Sequence, residues 1–249
     1  MNEFQASLII QWYEDLEERL FEFLRFIPLI PQNFDVFSPR LATILTEAGD
    51  ILDSLFREVS PPTVTIDGTP KKKKELKIGD YAKLYADKLV LPTTRSLVFV
   101  SPPVYLVPFQ DWDASVSPGK NYPTPCWWTV YNKQKHSRLQ DVDKATLIVA
   151  VKALCGLHHV ITKLPELKQA ILRCGWLQTG GWNPEIALET LKDPQRHASA
   201  PAGTPTYIAE SKLFAVPLGP CNFPDYIADL QPTYYVCSQR MIRFFGRWY

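Results

Sequence analysis

Three stretches of this chain repeat apolar residues at helical spacing, and proline closes each one. Leu8, Trp12, Leu16, Leu20, Phe23 and Ile27 follow one another at steps of four and three before Pro28. Leu41, Ile44, Leu45, Ala48, Ile51, Leu52, Leu55 and Phe56 form a denser stripe before Pro61-Pro62. Leu147, Val151, Leu154, His158 and Ile161 make a third, ending at Pro165. A 3.6-residue period places each set on one face of a helix. Such faces need other elements to bury them, so the expected fold is mainly α, a helical bundle. Helices are expected over residues 3–26, 39–60, 78–89, 127–136 and 145–164, with short ones over 166–175 and 184–191. Ser38 suits an N-cap and Pro39 the first turn after it.

The 22 prolines predict long turns and extended connections between these helices. Residues 90–125 are punctuated by proline, with extended pieces at 96–100 and 104–107, and are expected to wrap the bundle. Asp67-Gly68 marks a turn in an otherwise patternless stretch, 62–77, that carries the run Lys71 to Lys74. That run reads as a solvated loop, and alternatively as a phosphate contact. Residues 197–206 read as a loop. Residues 212–218 and 234–245 are rich in aromatic and β-branched residues and read as short strands. The expected organisation is a bundle over 1–195 and a small β-containing C-terminal extension over 196–249.

Charge excludes some functions. With 27 basic and 26 acidic residues the net charge is +1, so a uniformly basic nucleic-acid coat is ruled out, while a local basic patch is not. The 46% hydrophobic content excludes a disordered chain. Five scattered cysteines form no CxxC pair and the four histidines no HExxH, so neither metal nor cofactor is expected. Thr179-Gly180-Gly181 lacks the Lys-Ser/Thr of a phosphate loop. The N-terminus has no basic region preceding an apolar one, and Lys152 interrupts the longest apolar stretch. Together these lead to the expectation of a cytoplasmic protein with reduced thiols and no membrane span.

The segment richest in chemistry runs Cys126-Trp-Trp-Thr-Val-Tyr-Asn-Lys-Gln-Lys-His-Ser-Arg138. On a helix Asn132 and His136 share a face, and Lys135 and Arg138 lie on a neighbouring one. An imidazole can exchange the 2′-hydroxyl proton of RNA near neutral pH, and adjacent cations can stabilise charge developing on the phosphate. Such a polar helix end is also compatible with simple solvation. Trp127 and Trp128 could stack on bases, although adjacent helical positions imply burial of at least one. In His158-His159 one ring is expected to face the core and the other to point more outward. Glu47, Asp50 and Asp53 read as a solvated acidic face that could reach the basic segment.

The order LVPFQDW, then CWWTVYNKQKHSR, then ATLIVAVKALCGL resembles a group of bacterial proteins with HEPN-like helical domains and a W-W-x-x-Y-N-x-x-K-H-x-R signature. Trp127, Trp128, Tyr131, Asn132, Lys135, His136 and Arg138 match that signature, and the likeness spans roughly residues 1–165. The resemblance implies a metal-independent endoribonuclease of a bacterial defence or toxin–antitoxin system, acting as a homodimer or with a partner protein of the same operon. His136 would be its acid–base group. Asn132 would orient it or bind phosphate, and Lys135 and Arg138 would stabilise the phosphate charge. Tyr131, Lys133 and Trp128 would contact RNA. The usual motif of that superfamily has an Arg before the polar residue, and that position falls on Tyr131 here. The departure leaves a second reading, an inactive module that binds RNA or protein.

Overall fold

A computed structural model describes residues 1–113, 122–179, 183–201, 203–224, 235–236 and 238–247. Part of the proline-rich segment, together with Gly180, Gly181, Tyr234 and Cys237, lies outside these.

Four helices form the bundle: α1 (Glu3–Leu24), α2 (Pro39–Val59), α4 (Cys126–Ser137) and α5 (Leu147–Lys163). Smaller helices surround them: α3 (Ile78–Tyr85), α6 (Lys168–Arg173), α7 (Pro184–Thr190), α8 (Pro194–Ala198) and α9 (Gln239–Phe245). The chain is mainly α. Helix starts follow their local chemistry. Asn2 accepts from the Gln5 backbone while the Gln5 side chain accepts from Asn2, which satisfies two otherwise orphaned donors. Ser38 accepts from the Leu41 N–H at 3.2 Å, with Pro39 next.

Helix α2 buries the stripe read from the sequence, except for a half-buried Ile51. Helix α1 does not. Its buried face runs through Ala6, Ile10, Tyr13, Leu16, Glu17 and Leu20, while Trp12 stays 54% exposed. Tyr13 and Glu17 have polar partners inside, and they turn the helix by part of a step. Helix α5 is enclosed on nearly all sides, and His158 and His159 are both fully buried. The expected outward histidine is therefore absent, because the sheet and α6 cover the face that would have been solvated.

Residues 62–77 are not a plain loop. Strands β1 (Thr63–Ile66) and β2 (Thr69–Lys72) pair antiparallel around Asp67 and Gly68, both at positive φ. That geometry matches a two-residue hairpin turn, for which Asp-Gly is a favoured pair.

The remaining strands are β3 (Ser96–Val98), β4 (Val104–Leu106), β5 (Thr206–Glu210), β6 (Phe214–Leu218) and β7 (Tyr235–Val236). They form one sheet in the order β4-β3-β6-β5-β7, antiparallel except for β5 with β7. The expected wrapping pieces at 96–106 thus pair with the C-terminal strands, across the boundary expected at residue 195. One face carries Val98, Phe214 and Val216 into the main core. The other carries Leu97, Ile208 and Ala215 against Phe223 and Met241. The strand expected over 234–245 is mostly helix α9, capped by Ser238, whose Met241 closes that outer face. Among the described residues no single helix is long and apolar enough to cross a membrane.

Candidate functional site on helix α4

Helix α4 turns Trp127, Trp128, Tyr131 and Gln134 inward. The rings form a stepped ladder. Phe109 meets Trp127 edge to face at 5.6 Å, Trp127 meets Trp128 at 5.5 Å, and Trp128 meets Tyr131 at 4.9 Å. The Trp127 indole N–H donates to the Pro108 carbonyl at 2.7 Å. Gln134 donates to the Asp141 carbonyl and holds the turn after the helix.

The ladder ends on α2. The Tyr131 hydroxyl donates to Asp50 Oδ1 at 2.7 Å, and Lys135 Nζ reaches both that oxygen and the Tyr131 hydroxyl at 3.0 Å. Burial first, and then the Asp50 carboxylate against the opposing effect of Lys135, pushes the Tyr131 phenol up to about 12. It therefore stays protonated and donating at neutral pH. Hydrogen bonds to Tyr131 and Asp50 raise the Lys135 pKa. Its ammonium is fixed in charge and already partnered. Further along, Arg138 donates to Thr43 Oγ1 at 2.8 Å.

This brace depends on a glycine. A Cβ at Gly49 would stand 2.4 Å from the Tyr131 ring, far inside contact distance. Gly49→Ala is expected to lose about 1–3 kcal/mol of stability through overpacking. Chemical denaturation measures it, and an unchanged midpoint would show that the close approach is dispensable.

The structure sorts the signature into two groups. Tyr131 and Trp128 are only 2% and 4% exposed, so the RNA-contact roles expected for their rings are corrected. Both are packing residues, because helix α4 aims positions 127, 128, 131 and 134 at α2 and α5. Lys135 and Arg138 are exposed but engaged with α2. Asn132, Lys133 and His136 are exposed, and no side-chain hydrogen bond or ion pair joins them to any described residue. Asn132 and His136 lie one turn apart, as their spacing required. The acidic set of α2 stays solvent-exposed to half-buried, as expected, and each member also pairs with a cation: Glu47 with Arg19, Asp50 with Lys135 of the basic segment, and Asp53 with Arg57.

Chemically, this face offers one exposed imidazole, one exposed amide and one unpaired ammonium. Of the nearby cations, Lys133 and Arg138 make no ion pair with any described residue, whereas Lys135 is tied to Asp50. Two parts of the site were missed by the sequence reading, namely the role of Gly49 and the direct clamp of Asp50 on Tyr131. A glycine amid the α2 stripe was the available signal. Among the described residues no group of three or more His, Cys, Asp or Glu side chains converges as a metal site. Comparison of the chain with protein-family models, with curated proteins and with solved structures finds no match.

Proposed function

We propose that this chain is an RNA-binding helical module, HEPN-like in its α1–α2–α4–α5 bundle, of a bacterial defence or toxin–antitoxin system. Its contact face is the exposed side of α4, with Lys133, Asn132 and His136. One observation carries the reading. The position where the related nucleases place an arginine holds Tyr131, whose hydroxyl is bound to Asp50, and the same carboxylate occupies Lys135. Lys135 beside His136 thus braces the fold, and the unpaired groups suit contact with a phosphate backbone and bases.

Fluorescence anisotropy with single-stranded RNA across a salt series tests this. Wild type is expected to bind with an affinity that falls steadily with salt. Lys133→Ala is expected to lower the slope by about one. An RNA affinity absent at all salt concentrations overturns the reading.

A specific observation also supports the nuclease reading. His136 and Asn132 are exposed and unpartnered, one helical turn apart, as an acid–base residue and its orienting amide would be. A second copy of the chain would supply the second acid–base group. Incubation of the same RNA with wild type and His136→Ala, with and without EDTA, decides between the two. RNA left intact by wild type fits the binding module. Cleavage that survives EDTA and is lost in the variant fits the nuclease.

A further inference from the structure

A groove open to solvent follows the seam between α1 and α2. It has two ends, and Arg19 belongs to the walls of both. One end, about 380 Å³, is lined by Arg40 and Thr43 of α2 and by Arg19 and Glu22 of α1. The other, about 450 Å³, is lined by Trp12 and Asp15 of α1 and by Glu47, Asp50 and Ile51 of α2. Helix periods set these walls. Arg40, Thr43, Glu47, Asp50 and Ser54 follow one another at steps of three and four, as do Trp12, Asp15 and Arg19. From Thr43 to Ser54 the groove runs about 16 Å at the helical rise. Helix α4 flanks it, since Lys135 holds Asp50 and Arg138 holds Thr43.

The two ends differ in chemistry. At the first, the exposed Arg40 side chain makes no hydrogen bond or ion pair with any described residue. Arg138 arrives beside it, its Nη2 on Thr43 Oγ1 at 2.8 Å. Glu22 stands on that rim and pairs with neither arginine. At the second end Trp12 is 54% exposed, and no described ring or cation lies over its indole. Arg19 is spent there, on Asp15 Oδ2 and on both oxygens of Glu47 at 3.1 Å. Asp50 gives Oδ1 to Tyr131 and Lys135. Oδ1 of Asp15 and Oδ2 of Asp50 accept no hydrogen bond from a described residue, so acceptors remain beside the indole.

Two guanidinium groups free of carboxylates suit a phosphate. An open indole face beside carboxylate oxygens suits a flat ring with N–H groups on its edge, as unpaired RNA bases are read. The carboxylates at the Trp12 end repel phosphate, so the two parts of a nucleic-acid strand can lie in the groove in one direction only. Guanine presents two adjacent donors, which match the two oxygens of a carboxylate, whereas uracil sets a single N–H between two carbonyls. We propose that the α1–α2 groove is a subsite for single-stranded RNA, with one unpaired guanine stacked on Trp12 and a backbone phosphate of the same strand at Arg40 and Arg138. The inference rests on the RNA reading of the α4 face and extends it, because Arg138 at the end of α4 joins the two surfaces.

The experiment is fluorescence anisotropy of the full chain with a labelled oligouridine that carries one central guanosine, and with the same strand carrying uridine there. Wild type is expected to bind the guanosine strand about tenfold more tightly than the all-uridine strand. Trp12→Ala is expected to weaken binding of the guanosine strand about tenfold with an unchanged salt slope, since it removes stacking and no charge. Trp12→Phe keeps a ring and is expected to recover most of that loss. Arg40→Ala is expected to lower the salt slope by about one. Should Trp12→Ala fail to fold, Trp12→Phe, Arg40→Ala and the preference of wild type for guanosine carry the test. Lys133→Ala separates this proposal from the reading beneath it. Binding that falls with Lys133→Ala but ignores both Trp12→Ala and Arg40→Ala overturns the groove and leaves the α4 face standing, whereas no binding of either strand by wild type overturns both. Equal affinity for the two strands also overturns the groove. An arginine-rich peptide forms the last arm. Peptide binding lost in Trp12→Ala, with RNA binding unmoved, assigns the groove to a basic protein partner and overturns the proposal.

Discussion

Replacing Glu17 by alanine is expected to cost about 3–5 kcal/mol of stability, because several buried or part-buried donors lose their acceptor at about 1–3 kcal/mol each. Glu17 is 2% exposed in the middle of α1. Its carboxylate accepts from the Tyr13 hydroxyl at 2.9 Å, from Ser211, from the Lys212 N–H at 3.0 Å and from the Leu213 N–H at 2.8 Å. Those last residues form the turn joining β5 to β6, so one side chain fastens the central hairpin of the sheet to the bundle. Burial raises its pKa, and the hydrogen bonds from Ser211, Leu213, Tyr13 and Lys212 act against that. Alanine would leave the Lys212 and Leu213 backbone N–H groups without their acceptor, the buried one at Leu213 carrying the full desolvation penalty. Glutamine is expected to cost less, since one amide oxygen still accepts while its NH2 faces a donor. Urea denaturation of wild type and both variants measures the differences. A loss under about 1 kcal/mol for Glu17→Ala, within the range of ordinary surface changes, would show that the hairpin docks by apolar contact alone.

Acid is expected to unfold the protein earlier than its carboxylates by themselves would predict, because of His158. This ring lies among Tyr13, Trp176 and Phe214, at centroid distances of 5.5, 5.4 and 5.8 Å, with neither nitrogen partnered. Burial pushes its pKa down to about 3. In the unfolded chain it takes up a proton near pH 6.5, whereas the folded chain refuses it until about pH 3. The unfolded state therefore binds more protons throughout that window, and stability falls as pH falls through it. Above pH 6.5 both states hold the neutral ring and the effect vanishes. At pH 4 the loss from this one residue is on the order of 3 kcal/mol. His158→Phe keeps a flat ring in the aromatic enclosure and removes the proton. It is expected to narrow the gap between the denaturation midpoints at pH 7 and pH 4. An unchanged gap would show that the ring is hydrated or protonated inside the fold.

Both predictions concern side chains whose setting the chain pattern hides. Glu17 sits in the run Glu14, Asp15, Glu17, Glu18, Arg19, which reads as a solvated face. A lone carboxylate within such a run is told from its neighbours only by where the 211–213 turn arrives, nearly two hundred residues later. His158 and His159 likewise read as one inward and one outward ring, as adjacent helical positions suggest. The outward direction is covered by elements remote in sequence. Lys163 and Lys168 carry no local sign of burial, because lysine is ordinarily a surface residue. The α4 site was better legible. The spacing of Asn132 and His136 placed them on one face, and the pair stands exposed there. The inward ladder of Trp127, Trp128 and Tyr131 follows from the same period once the bundle side is known.

What the sequence by itself determined is local: the helical stripes of α2 and α5, the cap at Ser38, the turn at Asp67-Gly68, and the mainly α class. These follow from backbone preferences and periods that span only a few residues. The tertiary structure alone decided the rest. It paired Leu97 with Ala215 across the sheet, made a helix of residues 239–245, turned α1 onto Glu17, and set Gly49 against Tyr131. Each of these outcomes depends on which distant surface supplies a partner, and a polar side chain is buried or solvated according to whether that partner can satisfy it.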